Sequence, residues 1–263
     1  MKKLSLIAVA LLLAACNTVP NSGDANSKAA ETAAAANAAA AAEAPAEPAA
    51  PKVVMVSDVE LKSLAVQMQT RLDASNPLGP RDRYVLRLAR LTAKLKTEDG
   101  LNLNFKPYRN PSLDATTSPD GSIRVYSGLM DTLNDPELLA MMGREISFVQ
   151  NGSAMTRLRA AYQAFDGAKT VTTFSSALDN LSDADLQAIG EQVENNAFTE
   201  GAELEADDYS LVFLKQNHRD PRSLERAFRK LAVKSQRDKS AALLYPDAKS
   251  RADRVRDLLA VKK

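Results

Sequence analysis

The sequence predicts a mostly helical α+β domain over residues 53–263, preceded by a leader and a disordered segment. Three observations support this prediction. Apolar residues recur mainly at the helical spacing of three and four. Two short segments alternate apolar and polar side chains as strands do, and residues 17–52 lack the large apolar side chains that a core requires.

Composition and charge exclude several classes of protein. The chain has 263 residues, with 34 Lys and Arg against 33 Asp and Glu, and it contains one His, one Cys and no Trp. One cysteine rules out an internal disulfide. The near-zero net charge lacks the positive field that nucleic-acid binders use, so we expect no nucleic-acid partner. A single histidine also argues against the usual zinc hydrolase sites, which take two or three imidazoles.

The N-terminus resembles the signal of a bacterial lipoprotein. Lys2 and Lys3 precede an apolar run that is too short to span a bilayer. The run ends in Leu-Ala-Ala-Cys, which resembles a lipobox, so we expect residues 1–15 to be removed and Cys16 to be acylated. Asn17 favours the outer membrane over retention in the inner one. We therefore expect a periplasm-facing lipoprotein held by the outer-membrane lipid bilayer, and an ordinary signal peptide with an incidental cysteine is the alternative.

Residues 16–52 are interpreted as the lipidated cysteine followed by a disordered tether. Sixteen of the 36 residues from 17 to 52 are alanine, and Val19 is their only larger aliphatic side chain. No core can be built from this composition, and isolated helices of this length are marginal in water. The folded domain is therefore expected at residues 53–263. The length of the tether would set the distance between this domain and the lipid on Cys16.

Two helices are predicted at the start of the domain. Ser57 and Glu60 form a capping box, and the apolar spacing that follows predicts a helix over residues 58–73. Pro80 is placed in the first turn of the next helix, which has one apolar stripe and one basic stripe. The basic stripe is interpreted as a solvated face, with membrane or peptidoglycan binding as the alternative. Its residues are Arg83, Arg87, Arg90 and Lys94.

Two strands are predicted from period-two alternation, at residues 101–105 and at Ser122–Tyr126 after the turn Pro119-Asp120-Gly121. An apolar helix follows, capped by Asp135 and opened by Pro136. Apolar side chains surround most of its circumference, which predicts that the helix is buried.

Two charged residues, Arg144 and Glu145, lie in the middle of this apolar helix. Because a guanidinium is almost never buried without a partner, the helix must face an acidic group. Residues 179–208 contain ten acids and no bases, whereas residues 215–263 carry a net charge of +9. In the acidic block, Glu203 and Asp207 lie one helical turn apart on one face.

Two more helices complete the prediction. One is opened by Asp220-Pro221 and the last runs over about residues 247–259. The order of these motifs resembles the zinc metallopeptidase family of the CAAX prenyl protease, family M48, in its branch of bacterial lipoproteins. The resemblance covers residues 110–259 and implies a gluzincin-like metallopeptidase domain, with a small β-sheet packed on the active-site helices. The motifs that carry it are the turn and strand at 120–129, Asp135-Pro136-Glu137-Leu138, Glu203-Leu204-Glu205-Ala206-Asp207, Asp220-Pro221, and Tyr245-Pro246-Asp247 with Arg251.

The segment that binds zinc in the family is altered in this chain. The resemblance implies His-Glu-x-x-His on the buried helix, where two imidazoles bind zinc and the glutamate activates water. This chain has Arg144-Glu145-Ile146-Ser147-Phe148, which keeps the general-base position Glu145 but neither imidazole. Neither a guanidinium nor a phenyl ring has a lone pair to give a metal. We therefore expect no metal and no cofactor, although the family uses zinc.

A substitute for the metal is predicted from the residues that remain. Glu203, the family's third ligand position, is retained, so Arg144 is expected to form a charge-assisted bond to it while Phe148 fills the other side of the site. The alternative is that Arg144 snorkels to solvent. The resemblance adds three supporting positions, Asp207, Tyr245 and Arg251. The family's later His-Pro motif is Tyr245-Pro246 here, and His218 is interpreted as a turn histidine rather than a ligand.

The function favoured by this pattern is a pseudopeptidase that binds extended polypeptide as an adaptor or chaperone-like factor in outer-membrane protein quality control. Its partners would be envelope polypeptides or the outer-membrane assembly machinery, bound by strand addition. The expected substrate-edge strand consists of Ser122, Ile123, Arg124, Val125 and Tyr126. Two alternatives remain open, an active metalloendopeptidase with an atypical metal site and a structural tether between membrane and cell wall. A serine nucleophile at Ser147 or Ser153 would lack a histidine base.

Overall fold

The computed structural model describes residues 56–97, 100–165, 181–245 and 247–261. The signal peptide, Cys16 and the tether, predicted within residues 1–52, lie outside the described residues, as does Pro246. In the described ranges no helix is long and apolar enough to cross a membrane.

Helices dominate the described part of the chain, and one small sheet accompanies them, so the predicted α+β class is confirmed. The capping box at Ser57 and Glu60 is present. The elements in chain order are α1 (Asp58–Ser75), α2 (Arg83–Thr92), β1 (Asn104–Tyr108), β2 (Ala115–Thr117), β3 (Ser122–Tyr126), α3 (Ser127–Thr132), α4 (Asp135–Gln150), α5 (Ser153–Ala164), α6 (Asp183–Asn195), α7 (Glu200–Gln216), α8 (Arg222–Ser235), α9 (Lys239–Leu244) and α10 (Ala248–Val261).

The sheet has the order β1-β3-β2, with β1 parallel and β2 antiparallel to β3. The expectation that Ser122–Tyr126 is an edge strand was therefore wrong, because this strand is paired on both sides. The first strand begins at Asn104, three residues later than the alternation predicted, and includes Pro107, which an edge strand tolerates.

Both faces of β3 are buried as well, including the polar residue at its centre. The Arg124 guanidinium is buried against α1. Arg124 Nε donates to Asp73 Oδ1 at 2.8 Å, and the Tyr108 hydroxyl donates to the same oxygen at 2.7 Å. This pairing ties the C-terminal part of α1 to the sheet.

The basic stripe that begins on α2 is mostly a solvated face, as predicted, because Arg83, Arg90 and Lys94 are exposed and Arg87 is half-buried. Its arginines are nevertheless paired with carboxylates of neighbouring helices. Arg87 Nε donates to Asp135 Oδ1 at 2.7 Å, and its Nη2 donates to the Leu133 carbonyl at 2.8 Å. Arg90 binds the other oxygen of Asp135 at 2.8 Å, and Arg83 binds Asp131 at 3.0 Å. The stripe joins α2 to the ends of α3 and α4.

The starts of α2 and α4 also differ from the predictions. Asp82 caps α2, so Pro80 precedes the helix instead of lying in its first turn. Asn134 caps α4 in a capping box with Glu137, which leaves the Asp135 carboxylate free for the arginines of α2.

Helix α4 is the centre of the main core, as predicted, and every residue from Glu137 to Phe148 is buried. Gly143 permits its close approach to α7, since a Cβ there would lie 2.7 Å from Phe213 Cδ1. The Ser210 hydroxyl on α7 donates to the Ala140 carbonyl at 2.7 Å. This contact fixes the two helices that carry Arg144 and Glu203.

Candidate functional site

Three helices bring four charged side chains together. Arg144 comes from α4, Glu203 and Asp207 from one face of α7, and Arg251 from α10. Arg144 Nε donates to Asp207 Oδ1 at 2.8 Å, and its Nη2 is bound to Glu203 Oε2. The ion pair between Arg144 and Glu203 that the sequence predicts is therefore present.

Arg251 completes the network from the opposite side. Its Nε donates to Asp207 Oδ2 at 2.9 Å, and its Nη1 donates to Glu203 Oε2 at 2.9 Å. Its Nη2 also donates to Asp207 Oδ1 and, at 3.3 Å, to the Glu203 carbonyl. We call these four side chains, Arg144, Glu203, Asp207 and Arg251, the guanidinium–carboxylate cluster.

Burial and charge explain why this cluster is tolerated. The side chain of Asp207 is fully buried and that of Arg144 is 4% exposed, so the snorkelling alternative does not hold. Two cations face two anions, and the acceptors are shared among several donors, which offsets the cost of removing the charges from water. Burial alone would lower the pKa of Arg144, but the carboxylates of Glu203 and Asp207 outweigh it and hold that pKa above its usual value.

Phe148 fills the second imidazole position of the family motif. It is buried, and its ring stacks on Phe198 with centroids 3.7 Å apart and planes 7° from parallel. The guanidinium carbon of Arg157 lies over the Phe198 ring, 4.7 Å from its centroid. No pattern in the sequence indicated Phe198, because this residue lies in the short connection between α6 and α7, outside any periodic segment.

Glu145, the retained general-base position, points from α4 toward the sheet. The hydroxyl of Thr117 on β2 lies 2.6 Å from Glu145 Oε2 and 3.3 Å from its backbone carbonyl. Burial raises the pKa of Glu145 to about 8, although Arg144 and the Thr117 hydroxyl act in the opposite direction. At neutral pH this carboxyl carries a proton, and a protonated carboxyl cannot accept one from water.

The remaining predicted positions fall in different places. Tyr245 is buried beside the site, where burial raises the pKa of its phenol. Asp114, which the sequence analysis did not single out, is half-buried one residue before β2, and burial raises the pKa of its carboxyl to about 6. His218 is exposed in the turn after α7 with a left-handed φ of 54°, away from the cluster. The five residues of β3 do not offer a free edge at the site.

The residues present do not fit the zinc that the family implies. A metal needs lone pairs, and two of the family's ligand positions hold a guanidinium and a phenyl ring. Glu203, the remaining ligand position, is already bound by Arg144 and Arg251. Within the described ranges no group of three or more His, Cys, Asp and Glu side chains is placed to hold a metal ion.

Comparison with known proteins agrees with the fold and extends the resemblance toward the N-terminus. Residues 81–259 match the model of Peptidase family M48. The chain is 30% identical over 212 residues to metalloprotease YcaL of Escherichia coli (strain K12), covering 80% of this chain and 84% of the relative. It is 30% identical over 208 residues to metalloprotease LoiP of the same organism, covering 78% and 82%. The chain therefore belongs to peptidase family M48.

Proposed function

We propose that this protein is a pseudopeptidase, which keeps the metallopeptidase fold and binds polypeptide without hydrolysing it. The observation that carries the proposal is the position of Arg144. Its guanidinium stands where the first imidazole would bind zinc, and it is bound to the carboxylate that would be the third ligand. A protein cation takes the place of the metal ion, so no Lewis acid is available to activate a water.

The state of Glu145 supports the same conclusion. Hydrolysis by this family's chemistry needs a carboxylate that accepts a proton from the attacking water. Burial raises the pKa of Glu145 to about 8, so the required form is scarce at neutral pH. Its side chain is buried against Thr117 instead of facing an open cleft.

Strand β2 is the surface that would receive the polypeptide, in place of the strand expected from the sequence. Among the described strands β2 pairs with β3 alone, so no described strand pairs with its outer edge, where the Ala115 N–H donates to the Asp114 side chain. Thr117 on β2 contacts Glu145, which places this edge along the former catalytic helix. A polypeptide added to β2 would gain backbone hydrogen bonds and pass over α4.

The cellular role follows from the N-terminal motif and is part of the proposal. A lipidated Cys16 would hold the domain at the outer membrane on the periplasmic side, where it would bind envelope polypeptides or the outer-membrane assembly machinery as an adaptor. The relatives are named metalloproteases, which favours an active metalloendopeptidase as the second candidate. The tether alternative loses support, because Arg83, Arg87 and Arg90 of α2 are paired within the domain.

The test measures binding and cleavage on the same sample. The full chain is mixed with a labelled, permanently unfolded polypeptide, with zinc or with a chelator, and anisotropy and gel electrophoresis are recorded. We expect binding in both conditions and no cleavage in either. Cleavage that the chelator and the Glu145→Gln variant both abolish would establish the active enzyme instead.

A substitution on the proposed edge tests where the polypeptide binds. In the antiparallel pairing Asp114 and Ser118 exchange hydrogen bonds with β3, so by alternation Ala115 directs its N–H outward. In the free protein this N–H donates to the Asp114 carboxylate at 2.8 Å, a bond that an added strand would replace. Ala115→Pro removes the donor without removing a hydrogen bond to β3. We expect weaker polypeptide binding with a melting temperature that falls only slightly. Unchanged affinity would exclude β2 as the binding edge.

A further inference from the structure

Phe198 forms the outer part of a stack that fills the former metal site. Phe148 lies beneath it at 3.7 Å between ring centroids. Because this spacing leaves no room between the two rings, the Arg157 guanidinium must cover the opposite face of Phe198. The Phe198 ring thus lies in a flat slot between a phenyl ring and a cation, both of which favour a planar aromatic occupant.

This stack belongs to a small apolar cluster that is separate from the main core. Its buried members are Phe148, Ala154 and Ala206, and Phe198 and Ala202 pack against them partly exposed. Phe198 itself comes from the short connection between α6 and α7, not from a helix. A half-buried side chain on a connection can leave its site with less loss of packing than a core residue can.

The slot lies next to the proposed binding edge. Phe148 is three residues after Glu145 on α4, so the two side chains share one face of the helix. Glu145 contacts Thr117, and Thr117 belongs to β2. A polypeptide that extends along β2 therefore passes the face of α4 that carries the Phe148 ring.

We propose that the slot between Phe148 and Arg157 is a subsite for an aromatic side chain of a bound extended polypeptide, and that Phe198 occupies it within the chain when no polypeptide is bound. This inference rests on the proposed function and adds a ligand class to it. An aliphatic side chain would fill the same space but lose the ring stacking and the cation–π contact. Phe198 acts as an internal competitor that lowers the apparent affinity.

The composition of the chain offers a direct assay. The protein contains no tryptophan, so the emission of one tryptophan in a probe peptide reports only its own surroundings. The full chain is titrated into a short Ser/Thr peptide with a central Trp. Two peptides that carry Leu or Ala at that position, and therefore do not emit, are measured as competitors of the tryptophan peptide. Phe198→Ser removes the competitor, Phe148→Leu removes the floor of the slot, and Phe165→Ser is a matched control in a different apolar cluster.

We expect Phe198→Ser to bind the tryptophan peptide roughly tenfold more tightly than the wild type, with a blue-shifted emission. The same variant should favour the tryptophan peptide over the leucine peptide by about fivefold. Phe148→Leu should lose this preference, and Phe165→Ser should behave as the wild type does. Melting temperatures, recorded for each variant, show whether it is folded.

The outcomes separate this inference from the function on which it rests. If all three peptides bind equally and Phe198→Ser changes nothing, the aromatic subsite is refuted while polypeptide binding stands. If no peptide and no unfolded polypeptide binds any folded variant, the proposed function fails and the subsite fails with it. If Phe198→Ser fails to fold, Phe198→Leu, which keeps the apolar volume, must still raise the affinity for the tryptophan peptide.

Discussion

Replacing Glu145 by Gln should make the protein more stable, and more so as the pH rises. The folded protein raises the pKa of Glu145 from 4.5 to about 8, chiefly by burial, with Asp114 and Glu203 adding to the effect while Arg144 and Thr117 oppose it. An unfolded chain releases this proton near pH 4.5. Between pH 4.5 and 8, each rise of one pH unit therefore lowers the free energy of unfolding by about 1.4 kcal/mol.

The direction of the effect follows from proton binding. The folded chain binds more protons than the unfolded chain between about pH 4.5 and 8, so the contribution of Glu145 to stability is complete below pH 4.5 and is lost as the pH rises through 8. At pH 7 the loss is about 3 kcal/mol. Gln has no proton to lose, and its amide can keep a hydrogen bond to Thr117, so Glu145→Gln should remove this pH dependence.

Urea unfolding of the full chain at pH 5, 6, 7 and 8 measures the effect. The free energy of unfolding of Glu145→Gln, minus that of the wild type, should increase with pH. Glu205→Gln, an exposed site on α7, is the control, and its difference should stay near zero. A difference for Glu145→Gln that is independent of pH would refute the reasoning. A difference that falls with rising pH would mean that the folded protein favours the ionised carboxylate of Glu145, and it would refute the reasoning as well.

Two further substitutions test the packing around the guanidinium–carboxylate cluster. Asp207→Ala leaves two buried guanidinium groups with one carboxylate and should lower the free energy of unfolding in urea by about 3–5 kcal/mol. The control Asp208→Ala removes an exposed pair with Arg254 and should lower it by less than about 1 kcal/mol. Equal losses would contradict the assigned role of Asp207. Gly143→Val places a Cβ 2.7 Å from Phe213 and should lower the melting temperature, and an unchanged value would show that α4 and α7 lie farther apart.

The sequence was sufficient to predict six of the described helices and part of the site, whereas α3, α5, α6 and α9 were not predicted. The burial of α4 and the one-turn spacing of Glu203 and Asp207 are local periodic features, which a helix converts directly into a face. A buried Arg144 also requires an acid nearby, and the acidic block at residues 179–208 could supply one. The resemblance to family M48, now confirmed, added Arg251, whose contact with both carboxylates no local pattern could indicate.

The features that the sequence did not predict depend on contacts between distant segments. Strand β2 is three residues long, too short for alternation to be recognised, so the central place of β3 could not be predicted. The ion pairs of the stripe on α2 could not be predicted, because their partners, Asp131 and Asp135, lie on other helices. Phe198 stands between two helices, and its stacking on Phe148 follows only from how α6 and α7 meet α4.

The zinc content of the protein tests most directly the central claim, which is that Arg144 takes the place of the metal ion. The purified full chain is equilibrated with zinc, dialysed and measured by elemental analysis, beside a variant in which Arg144→His and Phe148→His restore the two imidazole positions. If Arg144 replaces the metal, the wild type should hold well below one zinc per chain, and added zinc should leave its melting temperature unchanged. Near-stoichiometric zinc in the wild type, removed by a chelator with a fall in melting temperature, would contradict the account.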